Sequence, residues 1–123
     1  MAKQDRRGGI IYVKQDGVQY DAKGNFTYNL GRPKREAIVG ADSVHGYKET
    51  PQVAFIEGEI TDNRGLDLDK LVTGEGVTVT LELANGKVIS LAEAWYAAEG
   101  TGNTDEGNLP VRWESRQQGQ EIK

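Results

Sequence analysis

The chain has 123 residues, a length that fits one domain with a buried core rather than two domains. It contains no cysteine, which excludes disulfides and thiol-ligated metals and favours folding in a reducing compartment. A formal net charge of -4 at pH 7 argues against the basic surface with which most sequence-reading proteins hold nucleic acid.

Residues 1–9 are predicted to form a flexible N-terminal arm, because Arg6, Arg7 and two glycines offer nothing to bury. No apolar run is long enough for a signal peptide or a membrane-spanning helix, so the sequence predicts no membrane association. The following residues flank Asp16-Gly17, a dipeptide suited to a two-residue type I′ turn, and therefore predict a β-hairpin.

Alternating side chains predict two more strands. In residues 25–30 three apolar side chains alternate with the polar residues Asn25, Thr27 and Asn29. Pro33 ends this segment, and residues 34–39 follow as a fourth strand. Residues 40–50 then predict a loop whose length is typical of binding segments.

Residues 53–61 predict a strand with two different faces. Ala54, Ile56 and Ile60 share one face, which is typical of a core. The opposite face begins apolar and becomes acidic at Glu57 and Glu59. The acidic part of this face is therefore expected to be exposed to solvent, either on the outer surface of the protein or in a water-filled channel.

Residues 63–76 predict the only helix, of about two turns, with Gly74 at its end. Its predicted apolar face consists of Leu68, Leu71 and Val72. A hairpin around Asn85-Gly86 follows. If that turn has two residues, Leu83 lies opposite Val88 in the core.

The same register puts Ile89 beside Glu82 and Leu91 beside Thr80, on a face that the alternation otherwise makes polar. We therefore expect this face to be only partly wetted and to have a neighbour. A last strand, LPVRWES, spans residues 109–115.

Residues 10–114 are predicted to form a single β domain, followed by a polar C-terminal tail at 115–123. About eight strands, mostly linked as hairpins, indicate a mainly β fold: an antiparallel β-sandwich or barrel with one short α-helix.

The sequence contains little that is typical of an enzyme. His45 is its only histidine, and without a cysteine no nucleophile–base pair is indicated. Glu57 and Glu59 have the spacing of glycosidase carboxylates but lack a cleft rich in aromatic residues. We expect a protein without catalytic residues, metal or cofactor.

The succession of segments resembles a known family. The segments are GNFTYNLG, VHGYKETPQVAFIEGEIT, LDLDKL, VTVTLELANGKVISLAEAW and VRWESRQQGQEI. From about Ile10 to Ile122 the chain is similar to the tail tube proteins of Mu-like contractile-tailed bacteriophages. The most specific pieces are VHGY with the following FIEG, and ELANGK followed by a tryptophan. Ala54 stands where the family usually has proline.

This resemblance implies a structural virion protein that forms hexameric rings. The rings stack into a hollow inner tail tube, through which DNA passes during ejection without specific binding. The implied partners are further copies of the chain and the sheath, baseplate or initiator, tape measure and tail terminator proteins. The implied location is the virion tail, and the host cytoplasm before assembly.

Two groups of residues are the predicted assembly surfaces, and for each an ordinary solvated surface remains the alternative. The residues predicted to face the lumen are Asn25, Thr27, Asn29, Glu57, Glu59, Thr78, Thr80 and Glu82. The residues predicted to form the subunit-contact loop are Asp42, Val44, His45, Tyr47 and Glu49.

Two other functions remain open at this point. One is a tube subunit of a related injection device, such as a phage-tail-like bacteriocin or a type VI-like tube, which conducts no DNA. The other is a monomeric β-sandwich module that binds carbohydrate, for which Trp95, Tyr96 and Trp113 are the only plausible aromatic platform.

Overall fold

The computed structural model describes residues 11–123, so the predicted N-terminal arm at 1–9 lies outside the described residues. Within this range the chain forms one helix and nine strands. They are β1 (Tyr12–Gln15), β2 (Val18–Asn29), β3 (Lys34–Val39), β4 (Val44–Thr50), β5 (Ala54–Thr61), α1 (Leu68–Val72), β6 (Val77–Glu82), β7 (Val88–Tyr96), β8 (Asn108–Ser115) and β9 (Gln120–Ile122).

Six strands close into an antiparallel barrel in the order β1-β2-β5-β8-β7-β6, because β6 pairs with both β7 and β1. β9 adds to β7 beside the barrel, and β3 and β4 form a separate two-stranded sheet. This architecture confirms the predicted mainly β, antiparallel fold with one short helix.

Trp113 lies at the centre of the barrel core and is fully buried. Its ring stacks on Tyr20 with the centroids 6.5 Å apart and meets Tyr96 edge-on at 6.4 Å. The indole Nε1 donates to Oε1 of Gln15 at 2.9 Å, so this buried amide oxygen has a donor. The predicted core face of β5 is confirmed, since Ala54, Ile56 and Ile60 are buried.

The first hairpin has the predicted turn. Val13 pairs with Tyr20, and Asp16 and Gly17 have φ values of 49° and 84°, as a type I′ turn requires. The next prediction is wrong in one respect: β2 is a single long strand rather than two. Its ladder with β5 shifts register between Lys23 and Thr27, because a bulge bends the strand there without ending it.

The β6–β7 hairpin differs by one residue from its predicted register. The amide of Leu83 donates to the carbonyl of Lys87, and that of Gly86 donates to the carbonyl of Leu83. The loop therefore has three residues, from Ala84 to Gly86, and Gly86 adopts the positive φ of 95° that ends such loops.

A one-residue slip of register moves side chains to the other face of a strand. Ile89 consequently pairs with Leu81, and Leu91 with Val79, inside the core. The expectation that Ile89 lies beside Glu82 on a partly apolar outer face is therefore wrong.

Helix α1 is shorter than predicted. Its N-cap is Asp67, whose side chain accepts a hydrogen bond from the Lys70 amide at 3.1 Å. Only Leu71 is fully buried, whereas 42% of Leu68 is exposed. The buried side chain of Leu71 and the N-cap Asp67 therefore stabilise this short helix.

The C-terminal segment 115–123 was predicted as a polar tail, but it includes β9, which extends the sheet beyond β7. The Gly119 amide donates to the carbonyl of Leu30 at 2.8 Å. Lys87 and Glu121 form an ion pair at 2.6 Å across β7 and β9. The segment is thus attached to the barrel along its length.

Gly31 joins β2 to β3 at a position that only glycine fits. Its φ is 78°, and a Cβ atom there would lie 2.8 Å from Cβ and 2.9 Å from N of Ala54. We expect Gly31→Ala to lower the free energy of unfolding by about 2–4 kcal/mol, because left-handed strain adds to overpacking. Urea unfolding followed by circular dichroism measures this loss.

Gly17→Ala is the matched control, because Gly17 also has a positive φ, 84°, but a Cβ there meets nothing within 4 Å. This variant should lose only the conformational part, about 1–2 kcal/mol. Equal losses in the two variants would contradict the close contact between Gly31 and Ala54.

Candidate functional site

The segment 40–50, predicted as a loop, is a short turn followed by β4. β4 pairs with β3 so that Glu36 lies opposite Lys48 and Arg35 opposite Glu49. The predicted subunit-contact loop is therefore one half of a β-hairpin, which we call the β3–β4 hairpin.

The β3–β4 hairpin extends away from the barrel. Asn29 pairs with Phe55 at the end of the β2–β5 ladder, and Lys34 pairs with Thr50 where the hairpin begins. Every residue of β3 and β4 is exposed. At about 3.3 Å per residue β3 reaches roughly 20 Å. An isolated two-stranded hairpin is at best marginally stable in water.

One side of the hairpin, here called the apolar face, carries Val39, Val44 and Tyr47. Their exposed fractions are 69%, 67% and 57%. Towards the barrel the face ends in a compensated ion pair, with Nε of Arg35 3.4 Å from Oε1 of Glu49. The same guanidinium lies 5.0 Å from the centroid of the Tyr47 ring. The face is thus apolar near the tip and locally neutral near the barrel.

The other side, here called the charged face, carries alternating charges. The Nζ atoms of Lys34 and Lys48 lie 3.3 Å and 3.7 Å from the carboxylate oxygens of Glu36. Ile38 is the only large apolar side chain on this face, and 46% of it is exposed. Such a face is well solvated without a partner.

The tip of the hairpin is closed by local hydrogen bonds. The Gly40 amide donates to the carbonyl of Ser43 at 2.8 Å, and Nε2 of His45 lies 2.9 Å from Oδ1 of Asp42. The hydrogen bond from His45 lowers the pKa of Asp42 below its usual value. A side chain at Gly40 would overlap the His45 ring. His45 therefore shapes the turn.

Of the five predicted contact residues, Val44 and Tyr47 lie on the apolar face, Glu49 lies at the base of that face, and Asp42 and His45 form the tip.

The outer surface of β2, β5 and β8, here called the β5 wall, is the second candidate surface. Thr27, Glu57 and Arg112 lie side by side across these three strands. Asn25 sits in the β2 bulge and borders the same depression as Glu57 and Glu59. Five of the eight predicted lumen residues share this wall, namely Asn25, Thr27, Asn29, Glu57 and Glu59.

Arg112 lies at the centre of the charges of the β5 wall, and it is not among the predicted lumen residues. Its guanidinium lies 3.4 Å from Glu57 and 2.8 Å from Glu114 and stands 4.2 Å from the centroid of the Phe55 ring. The alternation in LPVRWES puts Arg112 and Glu114 on one face, but nothing local in the sequence indicates that β8 pairs with β5.

The β5 wall is not simply acidic. It carries four acids, Asp21, Glu57, Glu59 and Glu114, and two bases, Lys23 and Arg112, which leaves a formal charge of 4 - 2 = 2 negative units. Lys23 is ion-paired with Glu106 at 3.4 Å, and Glu59 accepts a hydrogen bond from the Asn108 amide group. Each base on this wall therefore has a carboxylate neighbour.

The remaining predicted lumen residues, Thr78, Thr80 and Glu82, lie on β6. In the closed ring of six strands β6 is three places from β5 in either direction, so the two strands occupy opposite sides of the barrel. One channel cannot be lined by both groups within the same subunit.

The aromatic residues considered for carbohydrate binding do not form a platform. Trp113 is fully buried in the core. The Tyr96 ring packs against it, and the Tyr96 hydroxyl donates to the carbonyl of Pro110 at 2.8 Å. Trp95 alone lies on the outer side, opposite Glu114. This arrangement weakens the prediction of a carbohydrate-binding module.

Among residues 11–123 no group of three or more His, Asp or Glu side chains is placed to hold a metal ion. In the same part of the chain no helix is long and apolar enough to cross a membrane.

Comparisons with known proteins agree with this fold. A chain of the cryo-EM structure of an extracellular contractile injection system, the PVC sheath/tube terminator in its extended state, superposes with a TM-score of 0.62 at 10% identity, over 92% of this chain and 93% of that chain. The cryo-EM structure of the anti-feeding prophage cap, a tube-terminating cap, gives 0.60 at 7% identity, over 92% and 87%. These identities show a shared fold alone.

No protein of curated function matches the sequence. The sequence matches the phage tail tube proteins over residues 4–120. Because this match spans nearly the whole chain, the chain belongs to the phage tail tube protein family.

Proposed function

We propose that this structural protein polymerises as stacked hexameric rings into the inner tube of a contractile tail, which conducts DNA during ejection. The observation that carries the proposal is the β3–β4 hairpin, all of whose strand residues are exposed. No part of residues 11–123 covers its apolar face, as expected of a segment that is buried on assembly.

The barrel and the hairpin have the properties that ring formation needs. The six barrel strands form a closed ring, in which each strand pairs with a neighbour on both sides. The added strand β9 pairs only with β7. The hairpin reaches roughly 20 Å beyond it, far enough to contact the next subunit. A contact between different surfaces of two copies is heterologous, and repeated heterologous contacts close into rings. Stacking of the rings then gives a tube.

The β5 wall is the surface that we assign to the lumen. Sliding DNA is held back by lysine and arginine side chains that release counterions from its phosphates. On this wall Lys23 and Arg112 are each paired with a carboxylate. The assignment keeps Asn25, Thr27, Asn29, Glu57 and Glu59 as lumen residues and leaves out the three residues of β6.

Cysteine labelling tests which wall faces the lumen, because the chain has no cysteine of its own. Thr27→Cys and Thr78→Cys are matched variants, since both threonines are exposed strand residues on opposite walls. In assembled tubes we expect a maleimide attached to a large polymer to react with Thr78→Cys and to be excluded from Thr27→Cys. A small maleimide should label both variants, and dissociated subunits should react with either reagent.

Faster reaction of Thr27→Cys than of Thr78→Cys with the large reagent would contradict the assignment. Equal reaction of the two variants in intact tubes would also contradict it.

Negative-stain electron microscopy over a protein concentration series, with light scattering on the same samples, tests tube formation itself. We expect rings or hollow tubes of uniform width above a threshold concentration. Monomers at every concentration would argue against self-assembly and would favour the binding-module alternative, which a glycan screen then tests.

The proposed partners are further copies of the chain together with sheath, baseplate or initiator, tape measure and tail terminator proteins. The proposed location is a virion tail, after synthesis in the host cytoplasm. One structural relative is the sheath/tube terminator of an extracellular contractile injection system and another is a tube-terminating cap, which supports an assembly that includes a tube and a sheath. In the alternative, an injection device without DNA, the same tube would belong to a particle that lacks a DNA-filled head.

A further inference from the structure

We propose that residues 6–10 bind in a groove at one end of the chain's own barrel, where they continue β1 and pair with the second half of β2. The inference concerns the single chain before any assembly, so it goes beyond the proposed function and does not rest on it. It assigns an occupant to a depression that residues 11–123 leave open.

The groove, here called the β2 groove, lies between the two strands that flank β1. One wall is the second half of β2, with Gly24, Asn25, Phe26 and Tyr28. The other wall is the end of β6 with the loop that follows it, from Leu81 to Lys87. Ile11, the residue directly before β1, also lines the groove, which has a volume of about 350 Å³. The groove therefore opens where β1 would continue towards the start of the chain.

The ladder between β1 and β2 predicts which residues meet there. Val13 pairs with Tyr20, and each step towards the N-terminus of β1 is one step forward along β2, because the ladder is antiparallel. Ile10 then lies opposite Lys23, and Gly9 is the next residue to enter the groove. The first residues of the segment thus have a defined register before the β2 bulge begins.

The β2 wall offers main-chain groups to a further strand. Within residues 11–123, β1 pairs with β2 only from Val18 to Tyr20, so no described strand follows β2 on that side beyond Tyr20. Unpaired N–H and C=O groups along a strand edge favour the addition of another strand. Apolar side chains line the same space, since Phe26 and Leu83 are half-buried and 40% of Tyr28 is exposed. A strand in the groove would satisfy both kinds of group.

The chain's own N-terminal residues are the occupant that fits. Ile10 is joined to Ile11, so the segment starts at the groove. Five residues at about 3.3 Å each span roughly 17 Å, which lets residues 6–10 extend along the β2 wall. Gly8 and Gly9 bring no side chains, and glycine in a strand often marks a close approach of another backbone. Only residues 1–5 of the predicted flexible arm then remain outside the groove.

A disulfide tests the register directly, because the chain has no cysteine of its own. Facing residues of antiparallel strands have Cα atoms about 4.5–5.5 Å apart, which suits a disulfide. We expect Ile10→Cys combined with Lys23→Cys to form an internal disulfide on mild oxidation, detected by mass spectrometry of tryptic peptides. Ile10→Cys combined with Gln19→Cys is the matched control and should not, since Gln19 lies on the same face of β2 but well away from the groove.

Hydrogen exchange followed by NMR tests whether the segment fills the groove. Deletion of residues 2–9 should speed the exchange of the groove-side amides among residues 24–28 at least about tenfold, because these amides lose their partners. Gly9→Pro should act in the same direction, since proline cannot donate to a strand ladder. Ala2→Pro introduces the same residue outside the proposed strand and should leave the exchange unchanged.

Both experiments use dilute samples of dissociated subunits, so their outcomes do not depend on whether tubes form. Unchanged exchange after the deletion, or equal disulfide yields from the two cysteine pairs, would overturn the proposal. Disulfides that join two chains, or protection of residues 24–28 that appears only as the protein concentration rises, would show that the segment of another copy fills the groove. Either result would overturn the assignment of the groove to the chain's own segment.

Discussion

Trp113→Ala is expected to destabilise the barrel strongly. The side chain is fully buried, and it contacts the rings of Tyr20 and Tyr96. Its removal should lower the free energy of unfolding by about 3–5 kcal/mol through lost burial and the cavity that remains. The total free energy of unfolding of domains of this size is about 5–15 kcal/mol, so a large part of it would be lost.

The Gln15 side chain adds to this loss. Its Oε1 accepts the indole hydrogen bond at 2.9 Å, and it would remain buried without that donor. Trp113→Phe separates the two effects, because it keeps an aromatic ring but removes the donor, and should cost about 1–3 kcal/mol. Urea unfolding measures both variants. A loss below about 1 kcal/mol for Trp113→Ala would show that the ring is not the centre of the core.

Removal of the β3–β4 hairpin should abolish assembly and spare the barrel. Arg35 and Glu49 lie directly opposite each other, so an Asn-Gly turn can join them in place of residues 36–48. We expect the shortened chain to unfold within about 1 kcal/mol of the parent, because the removed strand residues are exposed. Light scattering should show no polymer at concentrations at which the parent chain forms tubes.

Urea unfolding of the shortened chain is the control for this experiment. A cooperative transition close to that of the parent shows an intact barrel, so that any loss of polymer belongs to the hairpin. Tubes of normal width from the shortened chain would contradict the role of the hairpin in assembly.

Local signals predicted a good part of the fold. The Asp16-Gly17 dipeptide fixes its turn because both residues tolerate positive φ, and the alternation of Ala54, Ile56 and Ile60 identifies the core face of β5. The Asn85-Gly86 dipeptide led to a prediction of the wrong loop length, because it also fits the last two positions of a three-residue loop. The local sequence does not decide between the two lengths, although the choice moves Ile89 and Leu91 of β7 by one position relative to β6.

β4 was missed because Gly46, with a φ of 137°, interrupts the alternation of its strand. Complementary charges would have indicated the hairpin, since Arg35 and Glu36 face Glu49 and Lys48 in antiparallel order. A search for such mirrored charges around a turn is therefore useful wherever a long polar loop is predicted.

The candidate site was harder to predict than the fold, because it depends on pairs of strands that are distant in the sequence. Arg112 compensates Glu57 only because β8 pairs with β5 in one particular register. The separation of Thr78, Thr80 and Glu82 from the β5 wall follows from closure of the barrel. Alternation identifies polar faces, but it does not tell which of them lie on the same side of a barrel.

Cryo-electron microscopy of the assembled protein, viewed along the particle axis and reconstructed, tests the central claim most directly. We expect hollow tubes of stacked rings with six subunits each. The β5 wall should line the channel, and the apolar face of the β3–β4 hairpin should lie against a neighbouring copy. Solid or open-ended aggregates without a channel, or a channel lined by β6 instead of β5, would contradict it.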